Sequence, residues 1–298
     1  MKKIKALLVI MLLGLLSLLP LETARKLGRK LGRHLYSKGD KYKICRITRQ
    51  NIEACFSEMP AAAREQLVEA SLVETGAVGA EMGMALMWSA KRTLARVQYI
   101  ENEALLKKGL ERGKGIIVLA PHLGNWEVLG LYLSAHYPLT SMYKPPRLEL
   151  LERIVRRKRE RIGANLVPAN LKGVRALLKA LKRGEMVGIL PDQEPNREGG
   201  VFAPFYGKQA LTMKLLPQLA AQSGAMVVCG FALRLSNGDG FSIHFAEVGG
   251  NINNQDIELA AAEMNLAIER CVALAPEQYQ WEYKRFNTQP DGKPSIYS

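Results

Sequence analysis

An imidazole and a carboxylate stand five residues apart where a strand is predicted to end and a helix to begin. The segment reads Ala120-Pro-His122-Leu-Gly-Asn-Trp-Glu127. In a continuous helix, five residues correspond to about 500° of rotation, so the two side chains would not share a face. A turn at 123–124 would bring Glu127 back to His122. Glu127 would then accept from one ring nitrogen, while the other nitrogen takes a proton from a substrate hydroxyl.

The helix predicted after this turn adds further polar groups. Backbone N–H groups of residues 124–126 would steady an oxyanion or a phosphate at the helix start. The H-x-x-x-x-E spacing is also typical of a structural histidine beside a surface glutamate, so alone it does not decide the function. The sequence contains no G-x-S-x-G elbow, no P-loop and no G-x-G-x-x-G. General-base chemistry is therefore the hypothesis that these residues favour.

Alternating strands and helices predict the scaffold that positions this pair. Strands are predicted at 115–120, 139–143, 186–190, 226–235 and 241–246, and a loop at 191–210. Helices are predicted at 42–57, 62–90, 125–135, 148–161, 171–182, 212–222 and 255–274. The fold class is α/β, with a mixed, largely parallel central sheet flanked by helices. His122 follows one strand and Asp192 another, at the edge where open α/β sheets bind ligands.

The long second helix contains two glycines at helical spacing. Gly79 and Gly83 would let another helix or an acyl chain approach closely, and ordinary helix packing explains them equally well.

Basic residues are concentrated in two places. The net charge is +14, and residues 1–49 contain 13 Lys or Arg against two acidic residues. A second cluster at 144–161 contains eight basic and three acidic residues. Such fields attract anionic lipids, acidic proteins or nucleic acid. The chain lacks the aromatic-interleaved motifs of nucleic-acid modules, so we expect no nucleic-acid partner.

The N-terminus predicts a membrane anchor. Residues 6–21 are uncharged and would span about 24 Å as a helix, against a hydrocarbon core of about 30 Å. A cleaved signal peptide is the alternative. Basic residues follow at once, from Arg25 to Arg33, and this flank favours an uncleaved anchor, spanning or deeply interfacial. We therefore expect an anchor helix at 1–22 and one α/β domain at 23–298. Within that domain, 23–95 is helical and membrane-adjacent, and 96–298 is the catalytic core.

Cysteine and histidine usage favours neither disulfides nor a metal. The four cysteines form no C-x-x-C pair, and the four histidines are scattered along the chain. We expect no metal and a reducing compartment.

Several segments in order resemble one family. His122-Leu-Gly-Asn-Trp-Glu127 resembles the H-x-x-x-x-[DE] signature of the lysophospholipid acyltransferase superfamily, and more specifically the late, or secondary, lipid A biosynthesis acyltransferases of Gram-negative bacteria. Further matches are Tyr143-Lys-Pro-Pro-Arg147, 157–163, 177–184, Leu190-Pro-Asp192-Gln193, 201–207, 210–212, 275–281 and Arg285-Phe286. Tyr283 and Lys284 depart from the family's usual His and Arg. The resemblance covers roughly 1–290.

The resemblance implies a reaction and partners. The donor would be an acyl thioester on acyl carrier protein, with no cofactor. The acceptor would be a hydroxyl of an acyl chain on a lipid A precursor, in lipopolysaccharide or lipooligosaccharide biosynthesis. The enzyme would lie on the cytoplasmic face of the bacterial inner membrane, against anionic lipids.

The same resemblance assigns roles to individual residues. His122 would be the general base and Glu127 its partner. Lys144, Arg147 and Arg159 would bind the acceptor phosphates, with Arg159 preferred over Arg161. Asp192 would orient one of these arginines or bind a sugar hydroxyl.

Three alternatives remain at this point. The acceptor could be a glycerophospholipid or another glycolipid, because the same base would serve. The chain could be a non-catalytic, membrane-bound basic scaffold, or a hydrolase that gives the acyl group to water.

Overall fold

A seven-stranded mixed sheet forms the centre of the protein. The computed structural model describes residues 2–146 and 148–298, with Lys2 and Asn237 described by their backbone alone. The strands are β1 (Val97–Glu101), β2 (Ile116–Leu119), β3 (Leu139–Tyr143), β4 (Asn165–Pro168), β5 (Met186–Ile189), β6 (Gly200–Phe205), β7 (Lys208–Met213), β8 (Met226–Arg234) and β9 (Phe241–Glu247). The sheet order is β1-β9-β8-β2-β5-β3-β4, and β6 and β7 form a separate hairpin. All sheet pairs are parallel except β8–β9. The predicted α/β class is therefore confirmed.

Helices cover both faces of this sheet. They are α1 (Lys2–Leu18), α2 (Leu21–Lys38), α3 (Lys43–Cys55), α4 (Ala61–Met87), α5 (Ala90–Leu94), α6 (Ala104–Glu111), α7 (Trp126–His136), α8 (Glu149–Arg159), α9 (Leu171–Lys182), α10 (Leu215–Ser223) and α11 (Ile257–Val272). Side chains of β2 alternate between two cores: Ile117 packs with α9, α10 and α11, whereas Val118 packs with α6 and α7. This double coverage explains the uninterrupted apolar run of β2.

The N-terminal helices pack against the rest of the molecule. Leu13 of α1 lies in a small core with Leu86 of α4 and Val155 of α8. Gly28 of α2 meets Gly76 of α4 so closely that a Cβ on Gly28 would lie 2.2 Å from the Gly76 carbonyl oxygen. Other apolar side chains of α1 and α2 are exposed: Ile4, Leu7, Leu8, Met11, Leu12, Leu15, Leu18, Leu27 and Leu31.

The sequence predicted an anchor that either spans the bilayer or lies deeply at its interface. None of the helices in the described ranges combines the length and the apolar character that crossing a bilayer requires.

Some elements differ from the sequence prediction. Residues 191–210 are not a single loop, because they contain β6 and the start of β7. The edge strands β1 and β4 were not predicted. Each is only four or five residues long and partly exposed, so neither carries the apolar run that marks a central strand.

Candidate active site

Two neighbouring parallel strands deliver a histidine and an aspartate to the same edge of the sheet. β2 ends at Leu119 and β5 ends at Ile189, and these two residues are paired in register. His122 and Asp192 each stand three residues later, and each follows a proline. Equal offsets from paired strand ends bring the two side chains together.

Asp192 holds His122 through two hydrogen bonds. The ring Nδ1 of His122 lies 2.8 Å from Oδ1 of Asp192, and the backbone N–H of His122 donates to Oδ2 at 2.7 Å. An ionised carboxylate only accepts hydrogen bonds, so Nδ1 carries the ring proton and Nε2 keeps a lone pair. That lone pair can take a proton from a substrate.

The environment keeps Asp192 ionised. Its side chain is only 2% exposed. Burial by itself raises the pKa of Asp192, but the hydrogen bonds from the ring and backbone of His122, and the positive charge of that ring when it is protonated, outweigh burial. The net effect lowers the pKa of Asp192 below its usual range.

Glu127 does not lie against the imidazole as predicted. Its carboxylate forms a two-pronged ion pair with Arg159, with Nε 2.9 Å from Oε2 and Nη2 against Oε1. Among the described residues, no hydrogen bond joins Glu127 to His122. The predicted pairing was wrong because α7 begins at Trp126, and its first turn directs Glu127 toward the C-terminal end of α8. Asp192, predicted as a substrate ligand, takes the place beside the ring.

The basic candidates occupy different environments. Burial alone lowers the pKa of Arg159, but the charge of Glu127 and its hydrogen bonds outweigh burial and raise it. Arg161 instead donates to the carbonyl oxygens of Leu86 and Ala85 at the end of α4, at 3.2 Å each. Lys144 is exposed just after β3. Arg147 lies outside the described residues, so its predicted role stays a prediction.

A tight turn joins His122 to the start of α7. Gly124 has a φ of +65°, and a Cβ there would lie 1.9 Å from the carbonyl oxygen of Ala232. Only glycine fits both conditions. Asn125 then caps α7, because its side chain accepts from the N–H of Val128 at 3.1 Å.

The predicted backbone donors are partly occupied. The N–H of Gly124 donates to the carbonyl oxygen of Gln278 at 3.0 Å, and the N–H of Asn125 donates to Ala232 at 2.8 Å. The sequence had predicted that these two N–H groups would bind a ligand. They are instead occupied by backbone carbonyl groups. The N–H of Trp126 has no acceptor within 2–146 and 148–298, so it remains available at the start of α7.

A network of buried ion pairs contacts the turn at residues 124–125. Glu81 of α4 is fully buried and accepts from Nε of Arg25 at 2.6 Å and from Nε of Arg234 at 3.0 Å. It also accepts from the Asn125 side chain at 2.8 Å. Arg234 in turn donates to the carbonyl oxygen of Gly124 at 2.9 Å. The N-terminal helices are thereby connected to the turn that carries His122.

The C-terminal segment closes the other side of the site. Leu123 and Tyr279 form an isolated antiparallel bridge, and the N–H of Gln280 donates to the carbonyl oxygen of His122 at 3.1 Å. A cavity beside His122 is lined by Thr75, Val78, Trp126, Arg234, Gln280 and Glu282, among others. Burial raises the pKa of the Glu282 carboxyl, which accepts from Thr75 Oγ1 at 3.2 Å.

Sequence reasoning missed the residue on the far side of the imidazole. The side-chain nitrogen of Gln193 lies 3.4 Å from His122 Nε2. The sequence offered one indication of Gln193: it comes directly after Asp192, and both residues follow a buried strand. Glu81 carried only one signal, a charged residue inside an otherwise apolar helical stretch.

Comparison with known proteins identifies the family. A model of the bacterial lipid A biosynthesis acyltransferase family matches residues 1–288. The chain belongs to this family. It is an acyltransferase of lipid A biosynthesis, and the predicted resemblance is confirmed.

Curated relatives extend over most of the chain. It is 31% identical over 255 residues to the lipid A biosynthesis palmitoleoyltransferase of Escherichia coli K12, covering 84% of this chain and 81% of that protein. It is 30% identical over 253 residues to the lipid A biosynthesis lauroyltransferase of the same strain, covering 85% and 82%. A lipid A biosynthesis acyltransferase of Haemophilus influenzae is 30% identical over 286 residues, covering 95% and 88%.

Proposed function

We propose that this acyltransferase moves a fatty acyl group from the thioester of acyl carrier protein to a hydroxyl on an acyl chain of a lipid A precursor. The observation that carries the proposal is the His122–Asp192 pair, with Nδ1 held at 2.8 Å and the histidine lining a cavity. Family membership supports the lipid A precursor as acceptor.

The reaction follows from the protonation states of this pair. Nε2 of His122 takes the proton as the acceptor oxygen attacks the thioester carbonyl. The tetrahedral intermediate then expels the thiolate, which receives that proton from the imidazolium. Asp192 stabilises the imidazolium and holds the ring in place. General-base assistance of this kind contributes about 10²–10⁴-fold to the rate.

Glu127 contributes to the site through Arg159. Their ion pair fixes the first turn of α7 against α8. The N–H of Trp126, which has no acceptor among the described residues, lies in that turn, at the positive end of the α7 dipole. It is a suitable donor to the oxyanion of the tetrahedral intermediate.

Basic side chains support binding of an anionic acceptor and an acidic donor protein. Lys144 is exposed beside the catalytic edge, and Arg153 and Arg157 are exposed on α8. Two nitrogens of the Arg159 guanidinium, Nε and Nη2, already donate to Glu127. Lys144, Arg153 and Arg157 therefore contribute more to phosphate binding than Arg159 does. The same surface suits the acidic acyl carrier protein.

The N-terminal helices suit an interfacial position on the inner membrane. Leu7, Leu8 and Leu12 are exposed on α1, and Leu27 and Leu31 on α2. Lysines and arginines alternate with the leucines of α2, a pattern that binds anionic lipid surfaces. This arrangement would present the active site to a lipid acceptor on the cytoplasmic face.

The proposal is tested with purified protein, acyl carrier protein loaded with a fatty acid, and a lipid A precursor in detergent. Mass spectrometry should detect a product heavier by one acyl unit with the wild type, and His122→Ala should lose transfer by about 10²–10⁴-fold. His136→Ala, exposed at the C-terminal end of α7, is the control. Transfer only to a glycerophospholipid, or release of free fatty acid alone, would overturn the proposed acceptor. Undiminished transfer by His122→Ala would overturn the mechanism.

A further inference from the structure

The two ring nitrogens of His122 are both held by one dipeptide. Asp192 binds Nδ1, and the side-chain nitrogen of the next residue, Gln193, lies 3.4 Å from Nε2. The same nitrogen of Gln193 donates to Oε1 of Gln280 at 3.1 Å. Gln193 therefore stands at the reacting nitrogen, where the acceptor hydroxyl must also arrive.

The neighbours determine which end of the Gln193 amide faces the imidazole. Nε2 carries a lone pair because Nδ1 holds the ring proton, and Oε1 of Gln280 only accepts. The amide NH₂ has two hydrogens, one for each of these acceptors. A reversed amide would direct its oxygen at both of them, so the donor orientation is the stable one.

The backbone of Gln280 is hydrogen-bonded to that of His122. Its backbone N–H donates to the carbonyl oxygen of His122, next to the bridge between Leu123 and Tyr279. The histidine, Gln280 and Gln193 thus form a closed set of contacts. In this set the NH₂ nitrogen of Gln193 lies 3.4 Å from Nε2 of His122.

We propose that Gln193 binds the acceptor hydroxyl and directs it at His122. Two nitrogens 3.4 Å apart both lie within hydrogen-bond length of one oxygen placed between them and slightly to one side. A hydroxyl there donates its proton to Nε2 and accepts from the Gln193 amide. The amide keeps this bond as negative charge develops on the oxygen, and charge strengthens it. This inference rests on the proposed function.

Gln193→Met and Gln193→Glu test this role, because both side chains fill a similar space without the NH₂. Steady-state kinetics should show kcat/KM for the lipid acceptor reduced by about 10–100-fold, the effect of one lost hydrogen bond to a charged group. KM for the acyl carrier protein substrate should stay unchanged. Gln209→Met, exposed on β7, is the matched control. Gln193→Glu replaces only the amide by a carboxyl group, so it provides the kinetic comparison should Gln193→Met fail to fold.

The outcomes separate this inference from the proposed function. If His122→Ala abolishes transfer while both Gln193 variants keep the wild-type kcat/KM for the acceptor, the role of Gln193 is wrong and the base stands. Equal losses toward donor and acceptor, together with a lower melting temperature, would indicate a purely structural role and also overturn the inference. If His122→Ala keeps full activity, the proposed function itself fails.

Discussion

The ring and the backbone of His122 bind the same carboxylate, that of Asp192, at 2.8 and 2.7 Å. The two bonds fix the imidazole and the chain that carries it as one unit. A single side chain therefore sets both the tautomer and the orientation of the imidazole. Because Asp192 is buried and ionised, this unit is expected to respond to pH and to mutation in a defined way.

Asp192 should stabilise the fold over a defined pH range. Its folded pKa is lowered, so its contribution is complete above the unfolded aspartate value and is lost as pH falls through the lower folded value. The free energy of unfolding of Asp192→Asn should thus stay below that of the wild type by an amount that does not shrink between about pH 7 and about pH 5. Urea unfolding at several pH values measures this difference. A difference that already shrinks in that range would contradict the lowered pKa.

Glu127 and Arg159 should behave as one unit. Glu127→Gln leaves a largely buried guanidinium without its counter-charge, which we expect to cost about 2 kcal/mol, below the value for a fully buried pair because Arg159 is 31% exposed. Glu127→Gln and Arg159→Met should lower the rate of acyl transfer by similar factors, because either change removes the ion pair that fixes the start of α7. The double variant should lose little more stability and little more activity than either single variant. Additive losses in urea unfolding or in activity would show that the two act separately.

The sequence predicted the sheet edge, the place of His122 on it and the family, but not the carboxylate that lies beside His122. The strand-to-helix turn at His122 was visible because β2 is a continuous apolar run. The five-residue spacing to Glu127 suggested a local pair, whereas the partner Asp192 lies 70 positions away. That contact depends on the order of β2 and β5 in the sheet, which periodicity does not give. Equal offsets from the two strand ends, each followed by a proline, were the available clue.

The buried carboxylate of Glu81 should be essential for stability. Glu81→Gln would leave Arg25 without a carboxylate partner and Arg234 with only Glu74, at 3.5 Å, at a cost of about 3–5 kcal/mol. Activity should fall as well, because Glu81 also holds the Asn125 cap. Glu111→Gln, exposed at the end of α6, is the control and should change stability by less than about 0.5 kcal/mol. A wild-type unfolding curve for Glu81→Gln would contradict the role of the network.

Two glycines of α4 should respond oppositely to alanine. A Cβ on Gly76 would lie 2.1 Å from the carbonyl oxygen of Gly28, whereas a Cβ on Gly79 meets nothing within 4 Å. Gly76→Ala should therefore destabilise by about 1–3 kcal/mol through overpacking. Gly79→Ala should stabilise by about 0.5–1 kcal/mol through helix propensity. Thermal unfolding of both variants measures the contrast, and equal shifts would contradict the close approach of α2 and α4.

The same glycines show what periodicity alone can give. The sequence predicted close approach at Gly79 and Gly83, and the structure places Gly83 against α1 but leaves Gly79 open. The additional contact, Gly76 against α2, was not predicted. Helical spacing identifies residues on one face, but which of them meets a neighbouring helix depends on where that helix crosses.

The most direct test of the central claim is a double-mutant cycle on kcat, with His122→Ala, Asp192→Asn and the double variant at saturating donor and acceptor. Asp192 acts only through His122 in this account, so each single variant should lose transfer and the double variant should lose no more than His122→Ala alone. Circular dichroism checks that each variant is folded. A double variant whose loss equals the product of the two single losses, or an Asp192→Asn enzyme with the wild-type kcat, would contradict the account.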